Sequence, residues 1–146
     1  MTTVYMADDV TRLHLTESML LVVAGDALMA VDRDKLGTDL LVTEFETVMT
    51  GDILDLALSP YEEDVYTVLL SRSMVEIRGC EVASTEAVEP AAIGIEYGRT
   101  HGTMVLLEPR RLVEWSQGES KTLQEKISYE TMFLAMRRVE GAVIDG

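Results

Sequence analysis

The chain has 146 residues, 47% of them hydrophobic and 26% charged, and a net charge of −14. That length and apolar fraction suit one domain with its own core and exclude a disordered chain. One cysteine excludes an internal disulfide framework, and one cysteine with two histidines fits an ordinary zinc centre poorly.

Most of the chain reads as short strands joined by turns. Thr2–Met6 and Thr11–Leu15 are brief strands flanking Asp8 and Asp9. Met19–Val23 and Ala27–Val31 form a hairpin about Gly25-Asp26. Asp39–Thr47 is a further strand, and Thr50–Leu58 reads as a short helix with Thr50 as N-cap and Asp52 in its first turn. Val65–Leu70 and Met74–Arg78 flank Ser71-Arg72-Ser73; Met74, Glu76 and Arg78 share one face and Val75 and Ile77 the other. Glu81–Pro90 is small, acidic and ends in proline, which predicts a long loop. Ile93–Tyr97, Thr103–Glu108 and Leu112–Trp115 complete the strands. Leu21–Arg33, Val68–Arg78 and Val105–Trp115 resemble one another loosely, at unequal spacings, and read as common hairpin grammar rather than a repeat array.

The last segment changes character. Ser116 and Glu119 have the spacing of a capping box, residues 119–140 hold no Pro or Gly, and Gly141 is placed to stop a helix. On that helix Leu123, Ile127, Thr131 and Leu134 form one stripe, and Tyr129, Met132, Phe133, Met136 and Val139 form another nearly opposite. A single domain needs one apolar stripe, so Tyr129, Met132, Phe133 and Met136 are expected to form an intersubunit interface. The fold expected is mainly β (α+β): one domain over 1–146, an antiparallel β-sandwich or small barrel over about 2–115, and one long C-terminal helix over about 119–140.

The chemistry-bearing residues are sparse. Asp32, Asp34 and Gly37 imitate the start of a calcium loop, but Leu36 and Thr43 stand where further oxygen ligands are needed. Cys80 with His14 or His101 could pair a thiol with an imidazole, yet nothing in the sequence brings them together. Thr2-Thr3-Val4, with Val22-Val23-Ala24-Gly25-Asp26 further on, resembles the proteasome-type hydrolases. The resemblance implies Thr2 as a nucleophile using its own amine as base. That family's helical layers have no counterpart in this strand-rich middle.

The functional expectation is therefore a non-enzymatic assembly subunit acting through self-association, in a virion-type shell decoration or tail. Its partners are then copies of itself or other subunits, with no cofactor and no metal. Nine methionines suit adaptable contact surfaces as well as a core. The alternative is a monomeric acidic binder or inhibitor that engages a basic partner or mimics nucleic acid. Residues 1–60, with eleven acids against three bases, favour that alternative. A small hydrolase using Thr2 is the second alternative. Acidic surfaces repel phosphates and anionic headgroups, so neither nucleic acid nor a membrane is expected as partner. No basic-then-apolar leader opens the chain, so a cytoplasmic or virion location is expected.

Overall fold

Two-residue turns between apolar runs set the architecture. The computed structural model describes residues 6, 8–38, 44–88, 92–116 and 119–125. Gly25-Asp26 joins Met19–Ala24 (β2) to Ala27–Asp32 (β3), and Gly25 adopts φ +61° in the left-handed region. A side chain there is strained by the backbone alone, and a Cβ would also meet the Asp8 carboxylate at 2.9 Å. Ser71-Arg72 plays the same part between Val65–Leu69 (β6) and Ser73–Arg78 (β7), and Pro109-Arg110 between Thr103–Leu107 (β10) and Arg111–Ser116 (β11). In these two hairpins the ladder runs to the turn, through Leu70 N–H to the Ser73 carbonyl at 2.8 Å and Glu108 N–H to the Arg111 carbonyl at 2.9 Å.

Each hairpin is the centre of a four-stranded antiparallel meander. The first sheet adds Val10–Leu15 (β1) and Glu46–Thr50 (β4), the second Asp55–Leu58 (β5) and Glu81–Ala87 (β8), and the third Gly94–Tyr97 (β9) and Glu119–Glu125 (β12). Strands follow one another across every sheet in chain order.

The sheets stack face to face. Leu21, Val23, Leu28 and Ala30 of the first sheet pack on Leu56, Tyr66, Val68, Val75 and Ile77 of the second. The opposite face of the second sheet places Ala57, Leu69 and Met74 against Ile95, Tyr97, Met104, Leu106 and Val113 of the third. The middle layer explains the run Val65-Tyr66-Thr67-Val68-Leu69, which is buried at all five positions. A strand covered on both faces needs no polar alternation.

These sheets correct several expectations. The β-rich class stands, but the two-layer sandwich or small barrel gives way to three separate sheets. The helix expected over about 119–140 does not begin there: residues 119–125 are β12, Ser116 and Glu119 face each other across the β11–β12 ladder, and residues 126–140 lie outside the described residues. The spacing that imitates a capping box thus sits at the mouth of a hairpin. The short helix expected over Thr50–Leu58 is also absent, because Thr50 ends β4 and Asp55 begins β5. The loop expected over Glu81–Pro90 is strand β8 as far as Ala87; its small and acidic residues suit a strand exposed throughout. Among the described residues there is no α-helix, hence none long and apolar enough to cross a membrane.

Candidate functional site

The first strand of each sheet lies toward a common line, and one carboxylate holds that line together. Asp55, opening β5, accepts from the Ile95 N–H of β9 through Oδ2 at 2.9 Å and pairs through Oδ1 with Arg12 Nη1 of β1 at 3.0 Å. Arg12 also donates from Nη2 to the Leu54 carbonyl at 2.8 Å. A bulge near Thr11 turns Arg12 and His14 to the same face as Val23 and Leu21, toward the second sheet. Burial, and then the Arg12 charge, push the His14 imidazole below its usual pKa. Four-stranded meanders arrayed with their first strands inward are the arrangement of blades in a β-propeller.

That bulge also decides what the opposite face of β1 presents. Val10, Leu13 and Leu15 point away from the second sheet, beside Ala24, Val22 and Leu20 of β2. They remain 45%, 62% and 49% exposed. β1 is an edge strand as well. Exposed edges are ordinarily guarded by charge. The outer edge β8 carries Glu81 and Glu86 with small residues and the exposed Val82, while on β1 Arg12 and His14 turn toward the second sheet and the opposite face is aliphatic.

A cleft of about 340 Å³ opens between the second and third sheets, beyond their shared core. Met74, Glu76, Arg78, Ser84 and Glu86 form one side; Tyr97, Met104 and Trp115 form the other. At its base the Thr67 and Tyr97 hydroxyls lie 2.7 Å apart and satisfy each other. Burial pushes the Tyr97 phenol up to about 12. At the rim Arg78 donates to both oxygens of Glu62, at 3.0 and 3.3 Å, and His101 Nε2 lies 3.1 Å from the same carboxylate. Hydrogen bonds from Arg78 and then His101 hold Glu62 below the usual carboxylate range.

The residues singled out from sequence fare unevenly. Tyr129, Met132, Phe133 and Met136, expected at an interface, lie outside the described residues, as do Thr2 and Thr43. Asp32 ends β3 and Asp34 sits in the 3-10 turn Arg33–Lys35 that follows. Cys80, His14 and His101 are not brought together: Cys80 lies beside Met19, with the sulfurs 3.7 Å apart, while His101 meets Glu62 and Tyr61. Burial, with a lesser contribution from Glu46, pushes the Cys80 thiol up to about 11. Two units above an ordinary thiol leave about a hundredfold less thiolate at pH 8. Iodoacetamide should accordingly alkylate the native protein about a hundredfold more slowly than the urea-unfolded chain; equal rates would show that the thiol is not shielded. Sequence reading missed Arg12 with Asp55, and missed Leu13 with Leu15. The alternation of Arg12 and His14 with Leu13 and Leu15 was the available signal for the second pair.

No family model matches the chain, and no curated protein does. Solved structures do resemble it in fold. The N-terminal domain of Nup159 superposes with a TM-score of 0.50 at 18% identity, over 84% of this chain and 32% of that one. Citrobacter koseri AztD gives 0.53 at 11% identity, over 76% and 32%. Kuenenia stuttgartiensis hydrazine synthase gives 0.51 at 13% identity, over 78% and 37%. The chain therefore spans about a third of the length of these proteins, and at such identities the likeness is one of fold alone.

Proposed function

We propose that the chain is a non-enzymatic assembly unit that works by docking the exposed aliphatic row of its first strand on a second copy. The observation that carries this is the exposed aliphatic row Val10, Leu13 and Leu15 on the edge strand β1. Stacked sheets supply the physical logic. The inward faces of the first and third sheets are buried against the second, and Val22, Ala24 and Val31 on the outward face of the first sheet are buried too, so a further contact falls to the exposed row on β1. A shell-decoration or tail component of a virion-type particle is the finer form of the same reading. It adds only symmetric repetition of the contact.

Sedimentation at micromolar concentration tests the proposal. The unaltered chain is expected to associate, and Leu13→Asp to weaken association by roughly a hundredfold, on the order of 3 kcal/mol, with unchanged circular dichroism. Association should strengthen with added salt, because screening relieves repulsion among copies that each carry −14. A chain that is monomeric throughout overturns the reading. Association that falls with salt replaces it with that of an acidic binder.

A further inference from the structure

We propose that the cleft between the second and third sheets binds a primary ammonium group carried on an apolar stem. Along β7 the residues Met74, Glu76 and Arg78 all turn toward the third sheet, and β8 sets Glu86 opposite Met74 and Ser84 opposite Glu76. This face is apolar near the core and carboxylate-rich further out. Across the cleft, Trp115 and Tyr97 flank Met104 in register, giving a wall of one methionine between two aromatic rings.

The two walls therefore ask for different ends of one ligand. Three carboxylates, Glu62, Glu76 and Glu86, face a single guanidinium, and Arg78 is committed to Glu62 by its two short hydrogen bonds. Glu76 keeps only contacts of 3.5 Å, one from Arg78 and one from Ser84, at the outer limit of a hydrogen bond. Glu86 has no ion pair or hydrogen bond among the described residues. Acceptor capacity is thus left over on the acidic wall, and the field there repels anions. On the other side Trp115 supplies an aromatic ring that suits a cation, and both methionines offer polarizable contact to its stem. The Thr67–Tyr97 pair is mutually satisfied and makes no demand on a ligand. A volume of about 340 Å³ accommodates a molecule with one aromatic ring and a short amine chain.

Lysine side chains and free arylalkyl amines share this chemistry, and two probes separate them. Phenethylamine and Nα-acetyl-lysine amide are titrated calorimetrically into the full chain, with neutral 2-phenylethanol as the uncharged control. Fluorescence of Trp115, the chain's only tryptophan, gives a second readout that needs no variant. At least one cation is expected to bind about tenfold or more tightly than the alcohol, and the tighter of the two names the source. Glu76→Gln should weaken binding about tenfold, while Arg78→Gln, which removes the resident cation, should tighten it. Equal affinity for the alcohol, or no fluorescence change and no heat with either cation, overturns the proposal. These readouts involve none of the first-sheet residues, so the outcome is independent of the assembly reading.

Discussion

Asp55→Ala should lower the melting temperature by about 10 °C, the equivalent of about 3 kcal/mol. The carboxylate serves three sheets from one position, so its loss leaves the Ile95 N–H without an acceptor and Arg12 without its ion partner. The unsatisfied amide is the larger part. Arg12 is 37% exposed, so water replaces most of what its charge loses. Two companion variants separate these contributions. Asp55→Asn retains a carbonyl oxygen for Ile95 and should cost about half as much, whereas Arg12→Gln should cost under about 1 kcal/mol. Thermal melts followed by circular dichroism give all three values. A wild-type melt for Asp55→Ala would mean that apolar packing alone holds the sheets together.

Tyr66→Ala is expected to cost more, about 4 kcal/mol, and to take the chain close to its stability limit. Tyr66 is the largest fully buried side chain among the described residues, in the core between the first and second sheets. Its hydroxyl reaches the end of β7 and donates to the Gly79 carbonyl at 3.0 Å. Burial raises the phenol pKa far above its ordinary value, so the neutral donor persists at every ordinary pH. Tyr66→Phe isolates that hydrogen bond and should cost about 1 kcal/mol. The Ala variant should lose near-UV dichroism well before far-UV signal on warming, because packing between sheets fails before pairing within them. Similar costs for the Phe and Ala variants would show that the ring packs loosely and the hydroxyl carries the site.

The hairpins were legible from the sequence because each is a local event. Gly25-Asp26 between two apolar runs specifies a turn with no knowledge of the rest of the chain. The three similar segments, Leu21–Arg33, Val68–Arg78 and Val105–Trp115, mark the centres of the three sheets, so what read as hairpin grammar is a structural repeat. It was obscured because the flanking strands differ. β8 is acidic and wholly exposed, β5 is only four residues long, and the approaches to β4 and β9 share no turn residues. The C-terminal strand was hidden by its composition: Lys121, Leu123, Gln124 and Glu125 are good helix formers, and only pairing with β11 overrides that preference. Of the candidate cleft, the face shared by Met74, Glu76 and Arg78 was visible as alternation. Tyr97, Met104 and Trp115 were not, since nothing local says which face of one sheet meets another. The Arg12–Asp55 pair joins residues far apart in sequence and leaves no local trace.

Stacking in chain order bears on how the molecule is made. Among the described residues every ladder joins consecutive strands, so contacts within a sheet are local in sequence, which is entropically cheap and favours fast formation. The middle sheet is different in kind. Val65–Leu69 has no solvent-facing side, so this strand stays unprotected until it is covered from both directions. During synthesis the first sheet can cover Tyr66 and Val68 as soon as they emerge, while Thr67 and Leu69 wait for residues of the third. In that interval the chain has two sheets and an apolar face at its growing end. The span from Leu69 to Ile95 sets how long the nascent protein is most prone to pair with the wrong neighbour.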